Sequence, residues 1–299
     1  MGSRIALRVG LGLADAIVPR LPRRVAYALA DLLGHAWYRV APARRELVAS
    51  NLRRVCLATG RPTSDRAFRS LVDRAFVEHA RYYLEMLRSP HFPLERIDRI
   101  VRVDDWPAFE AVLSSGPTVL VSAHIGNFEP FGAYLAAHGF RAVAPVEEIE
   151  PVELFEFLRA HRGSGRGVDV VPLSRSRRPM LDALRRGGVV GLVADRDLSG
   201  EGLLLEMFGA PVTVPEGPAT LAVLTGASVI VGRCLRVAPE RFEVTGSQVA
   251  WSPSGDRRAD IEALTRRLAA AMEADIAVAP EQWFAAFQPF WREPGETTA

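Results

Sequence analysis

The segment SAHIGNFEPFG places a histidine, His124, and a glutamate, Glu129, five positions apart between two apolar stretches. Five helical steps would separate them by about 140°, so the two side chains would not share a helical face. The spacing does fit a turn between a strand and a helix, in which Gly126 allows a tight bend and Asn127 caps the helix. Glu129 would then lie in the first helical turn, where a negative charge is favoured, and its carboxylate could reach back to the imidazole.

A histidine held by a carboxylate is a general base with a fixed tautomer, and the carboxylate stabilises the imidazolium that forms. Such a base can take a proton from an alcohol. The sequence contains no G-x-S-x-G motif, and no serine or cysteine stands where a nucleophile elbow would place it. We therefore expect the substrate hydroxyl itself to be the nucleophile, in a direct transfer without a covalent enzyme intermediate. The spacing alone is also compatible with a solvated turn histidine and a helix-start glutamate that have no catalytic role.

From residue 99 onward, short apolar strands alternate with helices of about ten to fifteen residues, which is typical of an α/β sheet with mostly parallel strands. The predicted strands are RIVRV, PTVLVSA, FRAVAPV, VDVVPL, VVGLVAD and ASVIVGRCLRV, and the last is expected to pair with RFEVTG. We predict an α/β fold with a mostly parallel central sheet and flanking helices, preceded by a helical region. Residues 1–92 would form this helical region, packed on an α/β core of residues 93–299.

Polar residues follow three of the predicted strands at the points where the strands end. They are His124 after VLVSA, Glu147 and Glu148 after AVAPV, and Asp195, Arg196 and Asp197 after VVGLVA. Ligands of open α/β sheets bind beyond the carboxyl ends of the strands. These side chains are therefore expected to gather at one edge of the sheet and to form a site there.

The N-terminal region has the features of a membrane surface element. Residues 1–88 hold 16 arginines and 7 acidic residues, so they carry about nine positive charges, although the whole chain has a net charge of only +2. The first helix is mostly apolar and edged with arginine, as in helices that lie in a membrane interface, although it could equally pack on the core. Arg8, Asp15 and Pro19 interrupt it, so it falls short of the roughly 20 apolar residues of a spanning helix. The next helix places Val25, Leu29, Leu32, Leu33 and Ala36 on one face.

Composition and residue spacing limit the classes of protein to which the chain can belong. The chain has 299 residues, of which 48% are hydrophobic and 24% charged, as in an ordinary globular protein. Its two cysteines, Cys56 and Cys234, have no metal-type spacing and are expected to be buried thiols. No second histidine with ligand spacing falls near a strand end, which disfavours a metal hydrolase. The basic half contains no recognisable nucleic-acid-binding module.

The sequence resembles the lipid A biosynthesis lauroyl/myristoyl acyltransferase family, and within it the actinobacterial phosphatidylinositol mannoside acyltransferases. HIGNFE has the H-x4-(D/E) form of that family. The likeness also includes ARRELVASNLRRV, LRAHRGSGRGVDVVPL, VVGLVADRDLSG and the closing APEQWF, in the same order. H-x4-E alone is moderately specific, whereas the ordered run of matches along most of the chain is much more so.

The resemblance implies a peripheral enzyme on the cytoplasmic side of the cell membrane. It would move a long acyl chain, palmitoyl above all, from acyl-CoA to a mannose hydroxyl of a phosphatidylinositol mannoside or related glycolipid. Acyl-CoA would be the co-substrate, an anionic membrane surface the partner, and no cofactor or metal would take part.

Individual residues carry over by position. His124 would be the general base and Glu129 its orienting carboxylate. Glu147 in APVEEIE, Arg162 in RAHRGSG and Asp195 in ADRDL fall where the family keeps site residues. The resemblance implies that these three bind sugar hydroxyls or the acyl donor.

The sequence departs from the family pattern in two places. Phe284 stands where close relatives have a histidine after the tryptophan of the C-terminal motif, and DLSGEG lacks the basic residue that often follows RDL. Contacts to the donor phosphates are then expected elsewhere, with Arg175, Arg177 and Arg178 as candidates. Two alternatives stay open: a family acyltransferase with another glycolipid acceptor, and a non-catalytic lipid-binding scaffold. A His124→Ala variant would separate the second from an enzyme.

Overall fold

The structure is a computed structural model that describes residues 2–162 and 167–291. Its strands are β1 (Val101–Val103), β2 (Thr118–Ser122), β3 (Ala142–Val146), β4 (Val168–Pro172), β5 (Val189–Val193), β6 (Leu203–Met207), β7 (Ala210–Val214), β8 (Ser228–Ala238) and β9 (Arg241–Gln248). Its helices are α1 (Gly2–Ile17), α2 (Arg23–Val40), α3 (Pro42–Ala58), α4 (Arg66–Arg88), α5 (Ile97–Ile100), α6 (Trp106–Ser115), α7 (Glu129–Ala137), α8 (Val152–Arg162), α9 (Arg177–Arg185), α10 (Gly217–Thr225) and α11 (Arg257–Val278). Short 3-10 turns connect several of them, including 280–282 and 284–287.

One mixed sheet forms the centre of the fold. Its seven strands lie in the order β1-β9-β8-β2-β5-β3-β4. All neighbouring strands run parallel except β8 and β9, which form the predicted pair and run antiparallel. The predicted α/β class with a mostly parallel sheet is therefore confirmed. The order places β2 beside β5, so the residues after these two strands meet at the same edge.

A small hairpin of β6 and β7 lies outside this sheet and was not expected from the sequence. Its two-residue turn is Phe208-Gly209, and both residues have positive φ, at 51° and 70°. Tight hairpin turns of this kind usually carry asparagine, aspartate or glycine at the first of these positions. Because phenylalanine is unusual at this position, the sequence gives no sign of the hairpin. The residue is tolerated because its ring is buried in the main core.

The helices cover both faces of the sheet and create two apolar cores. Helices α9, α10 and α11 pack on one face, together with α3, α4 and the C-terminal turns. Helices α5, α6 and α7 pack on the other face. The N-terminal helices α3 and α4 thus share a core with the sheet, as in the contact of Phe76 with Phe287, whose ring centroids are 4.9 Å apart. Asn51 adds hydrogen bonds of 2.9 Å from its side-chain amide to the carbonyls of Ala286 and Gln288.

Helix α2 packs on α4 through its small residues rather than through its leucines. Gly34 lies so close to α4 that a Cβ there would be 2.5 Å from the Cα of Val77. Ala26 and Ala30 are buried at the same contact. Small residues at a helix crossing let the backbones approach closely, so the larger apolar side chains of α2 are left on the opposite face.

An exposed apolar surface results, which we call the outer face of α1 and α2. Its members are Val9, Leu13, Ile17, Val25, Leu29, Leu32, Leu33 and Val40, each at least 45% exposed. The apolar stripe predicted for α2 is therefore present, but it faces away from the protein core. Within the described ranges, no helix combines the length and hydropathy needed to cross a bilayer.

Candidate active site

The turn after β2 holds His124 through backbone contacts to two other segments. Gly126 donates its N–H to the carbonyl of Gln282 (3.0 Å), and Asn127 donates to the carbonyl of Cys234 (2.8 Å). Gly126 has a φ of 69°, and a Cβ there would lie 1.9 Å from the carbonyl oxygen of Cys234. Only glycine fits at this position, because it supplies both the left-handed backbone and the missing side chain.

His124 is held by Asp195, the residue that lies just beyond the end of β5. The imidazole Nδ1 and the Oδ1 of Asp195 are 2.5 Å apart. Asp195 is completely buried, whereas the side chain of His124 is 38% exposed. Because Nδ1 is engaged, Nε2 is the ring nitrogen that can take a proton.

The carboxylate that bonds Nδ1 is thus Asp195, whereas the sequence suggested Glu129 as the orienting carboxylate of His124. Glu129 begins α7 and receives a long hydrogen bond of 3.4 Å from the hydroxyl of Tyr82. Asp195 takes its place because β5 pairs directly with β2, and the N–H of Ala194 reaches the carbonyl of Ser122 at 2.8 Å. Both Glu129 and His124 nevertheless line the same cavity.

The ionisation of Asp195 follows from its surroundings. Burial alone would raise the pKa of this carboxyl, but the neighbouring His124 and the hydrogen bonds from His124 and Trp283 outweigh it and leave the pKa below its usual value. The indole Nε1 of Trp283 donates to Oδ2 at 2.8 Å. Asp195 is thus a carboxylate at neutral pH and stabilises positive charge on His124. The sequence suggested Asp195 as a substrate-binding residue, whereas in the structure it is buried and engaged by His124 and Trp283.

The other predicted site residues have different fates. Glu147 lines the cavity and lies 3.5 Å from the guanidinium of Arg196. Glu148 instead accepts hydrogen bonds from the backbone N–H and the hydroxyl of Ser174, away from the cavity. Arg162 ends α8, and its side chain lies outside what the structure describes.

A cavity of about 930 Å³ opens at His124 and extends over both faces of the sheet. On one face its floor is formed by Leu120, Ala144 and Gly191, under Phe131 and Leu135 of α7. No atom lies within 4 Å of where a Cβ of Gly191 would be, so the floor is open there. The depth and apolar lining fit a hydrocarbon chain better than a polar metabolite.

On the other face, the cavity lies against Leu192, Met180 and Leu221. Of the three arginines proposed for donor phosphates, Arg177 lines the cavity. Arg178 is almost fully exposed and is 3.7 Å from Asp182. The cavity therefore has apolar walls on both faces of the sheet, and the arginines among its described lining residues are Arg177, Arg196 and Arg233.

His79 is a cavity residue that sequence reasoning missed, because it fits the apolar period of α4. Its ring is stacked on Tyr83, with centroids 5.1 Å apart, and lies 4.8 Å from the ring of Phe284. Its Nδ1 is buried with no hydrogen-bond partner among the described residues. Burial lowers the pKa of His79 to about 3, so this histidine is neutral at physiological pH.

A buried polar cluster beneath the turn was also missed. Glu85 of α4 accepts hydrogen bonds from the hydroxyl of Tyr27 (2.6 Å) and the amide of Asn127 (3.0 Å), and it bonds Arg236 of β8. Asn127 in turn accepts the N–H of Glu129 at 3.2 Å. The cluster thus ties α2, α4 and β8 to the turn that carries His124. Across the described segments, no three His, Cys, Asp or Glu side chains are grouped as a metal site would require.

The site thus combines an α/β sheet with a carboxylate-held histidine that lines a mostly apolar cavity. The family model described as bacterial lipid A biosynthesis acyltransferase matches residues 7–293, and the chain belongs to this family of acyltransferases. The family predicted from the sequence is confirmed.

Curated relatives of the chain are also named as acyltransferases. A phosphatidylinositol mannoside acyltransferase of Mycobacterium tuberculosis (strain CDC 1551 / Oshkosh) is 35% identical over 225 residues, which cover 71% of this chain and 67% of the relative. A protein of the same name from Mycolicibacterium smegmatis is 30% identical over 252 residues, which cover 82% of this chain and 79% of the relative.

Proposed function

We propose that the protein transfers a long acyl chain, palmitoyl in particular, from acyl-CoA to a mannose hydroxyl of a phosphatidylinositol mannoside. The observation that carries this proposal is the position of His124, held by a buried carboxylate where a large apolar cavity opens. The names of the relatives support the acceptor class. The apolar walls support an acyl chain as the group transferred.

In the proposed reaction, Nε2 of His124 takes the proton of the mannose hydroxyl as its oxygen attacks the thioester carbonyl. The carbon–sulfur bond then breaks, coenzyme A leaves as a thiolate, and this thiolate takes the proton from Nε2. Asp195 stabilises the imidazolium in between because its carboxylate is held ionised. Glu129 and Glu147, which face the cavity, are proposed to accept hydrogen bonds from the sugar hydroxyls, and Arg162 stays a candidate for substrate binding.

A general base must be unprotonated to act, so we expect the transfer rate to rise with pH across the range in which imidazoles ordinarily lose their proton. Asp195 does not add a second acid limb, because its lowered pKa keeps it ionised throughout the neutral range. The rate of acyl transfer, measured from about pH 5 to 8, checks this expectation. A flat profile would contradict a general-base role for the histidine.

The activity itself is tested with purified protein, radiolabelled palmitoyl-CoA and a panel of glycolipids. We expect labelled phosphatidylinositol mannoside with the wild type and a loss of about 10²- to 10⁴-fold for His124→Ala, the range of general-base catalysis. His138→Ala is the matched control, since His138 follows α7 and packs on Tyr134. Transfer to a different glycolipid would redirect the acceptor assignment, and full retention of function by His124→Ala would favour a lipid-binding scaffold.

We further propose that the outer face of α1 and α2 rests in the interface of an anionic membrane on the cytoplasmic side. Exposed apolar residues are edged there by the exposed arginines Arg20, Arg23, Arg24 and Arg39. Each basic residue near an anionic surface contributes roughly 1 kcal/mol. Cosedimentation with phosphatidylinositol vesicles is expected to fall at least about tenfold in a Leu32→Ser, Leu33→Ser variant. Leu204→Ser, equally exposed but on β6, is expected to leave binding unchanged.

A further inference from the structure

We infer that Trp283 is a positioning residue for the base, acting through Asp195; this inference rests on the proposed role of His124. The indole N–H of Trp283 and the imidazole of His124 are hydrogen-bonded to different carboxylate oxygens of Asp195. Oδ1 lies 2.5 Å from Nδ1 of His124, and Oδ2 lies 2.8 Å from Nε1 of Trp283. All three groups are joined in one line from the cavity into the core.

Engagement of both oxygens fixes the plane of the carboxylate. The terminal torsion of an aspartate is broad, so a carboxylate held at one oxygen can swivel. With both oxygens engaged by donors from different segments, rotation breaks one bond or the other. Because Asp195 and Trp283 are completely buried, no water is at hand to replace a lost donor. The indole therefore determines the direction from which the carboxylate meets His124.

Trp283 is itself fixed to the turn that it serves. It forms an isolated antiparallel bridge with Ile125, and the next residue, Phe284, donates its backbone N–H to the carbonyl of His124 at 2.7 Å. On the preceding side, the carbonyl of Gln282 accepts the N–H of Gly126. The backbone segments that carry the indole and the imidazole are therefore hydrogen-bonded directly to each other, which fixes the separation of the two backbones.

The segment that carries the indole is also tied to the sheet. The side chain of Gln282 accepts the N–H of Arg236 (3.0 Å) and donates to its carbonyl (2.9 Å), as a neighbouring strand would. The ring of Trp283 packs edge-on against Phe290, with centroids 4.7 Å apart. These contacts leave the indole one orientation, with its N–H aimed at Oδ2.

The test is a double-mutant cycle of Trp283→Phe and Asp195→Asn, read by the kcat and KM of acyl transfer. A hydrogen bond to a charged group is the interaction lost, so we expect Trp283→Phe alone to lower kcat about tenfold or more while KM stays within about twofold. In the Asp195→Asn background, the same change is expected to alter kcat less than about twofold, because there is no carboxylate left to orient. Equal losses in both backgrounds, or an unchanged kcat, would overturn the inference.

A substrate-free readout separates this inference from the proposed function. The proton shared by Nδ1 and Oδ1 is expected to give a far-downfield proton NMR resonance that disappears in Asp195→Asn. In Trp283→Phe the resonance is expected to move upfield or to broaden by exchange. If the wild type transfers no acyl chain but the resonance responds in this way, the proposed function fails and the positioning role stands. An unaltered resonance in Trp283→Phe contradicts the positioning role whatever the activity.

Two controls address folding. Trp251→Phe removes an indole N–H that donates to the backbone carbonyl of Ala227 (3.1 Å), and it is expected to leave kcat and the resonance unchanged. If Trp283→Phe does not fold, site-specific replacement of Trp283 by benzothienylalanine keeps the ring shape and exchanges only the N–H for sulfur. That variant is expected to show the same loss of kcat and the same spectral change, and wild-type values for it would sink the inference.

Discussion

Asp195 and Glu85 are both buried carboxylates beside the turn that carries His124. Their surroundings nevertheless shift their pKa values in opposite directions. Asp195 accepts hydrogen bonds from the side chains of His124 and Trp283 and from the backbone of His124, and its pKa is lowered. For Glu85, burial outweighs the hydrogen bonds from Tyr27 and Asn127 and raises the pKa to about 8. Arg236, which also bonds Glu85, is shared with Glu78.

On the proposed mechanism, Asp195 takes part in catalysis, whereas Glu85 stabilises the structure around the turn. The partner of Asp195 is a histidine that reaches the cavity and can change its charge during a reaction. The partners of Glu85 come from α2, α4, β8 and the turn itself, and none of them lines the cavity as a base. A buried carboxylate is therefore no sign of catalysis unless its partner is open to a substrate.

The most sensitive test of this difference is to replace each carboxylate by the corresponding amide. Asp195→Asn is expected to lower the transfer rate by roughly 10³- to 10⁴-fold, because the amide cannot stabilise the imidazolium and favours the wrong tautomer. Glu85→Gln is expected to cost less than about tenfold, since the amide resembles the protonated acid that a raised pKa favours. Steady-state rates with palmitoyl-CoA measure both, and similar losses at the two sites would remove the distinction.

The stability of the protein should depend on whether residue 85 keeps a hydrogen-bond acceptor. Glu85→Ala leaves Tyr27, Asn127 and Arg236 buried without a common acceptor, so we expect the free energy of unfolding to fall by about 3–5 kcal/mol. Glu85→Gln keeps an acceptor and is expected to cost much less. Urea unfolding followed by circular dichroism measures the difference. Equal stability of the two variants would mean that the cluster contributes little to holding the turn.

His79 extends the comparison to a buried group whose Nδ1 has no hydrogen-bond partner among the described residues, and its expected effect is the smallest. Its pKa is about 3 in the folded protein and near 6.5 in the unfolded chain, so between these values the unfolded state binds a proton that the folded state does not. The free energy of unfolding should therefore fall as pH falls below 6.5, by at most about 1.4 kcal/mol per pH unit from this group. In His79→Phe this part of the slope is expected to vanish. Identical slopes in urea unfolding from pH 6.5 to 4.5 would contradict the buried neutral state.

Much of the fold was predictable because the apolar periods of strands and helices are local. Each predicted strand is present, and the antiparallel partner of β8 was assigned correctly. The strand-end rule also placed His124 and Asp195 at one edge of the sheet. The pairing between them was not predictable, because it depends on β2 lying beside β5, and a spacing of 71 residues carries no sign of that adjacency.

Glu129 drew attention for the opposite reason, since it is close in sequence and fits a turn. Glu85 was missed because it looks like an ordinary charged member of a helical pattern. Trp283 belongs to the closing APEQWF, but nothing in that segment indicates its partner. Their roles follow from contacts across 42 and 88 residues, respectively. Sequence therefore predicted the edge of the sheet at which His124 and Asp195 lie, whereas tertiary contacts decide which groups surround His124.

The backbone bonds between residues 282–284 and the turn at His124 also have a consequence for synthesis. A ribosome makes the histidine long before it makes the tryptophan, and more than 150 residues of chain must follow before the imidazole has its full set of neighbours. A nascent chain therefore holds His124 for most of the remaining synthesis without the segment that orients its carboxylate partner. On the proposed mechanism, the base is complete only when nearly the whole chain has been made, so chains that end ahead of Trp283 are expected to be inactive.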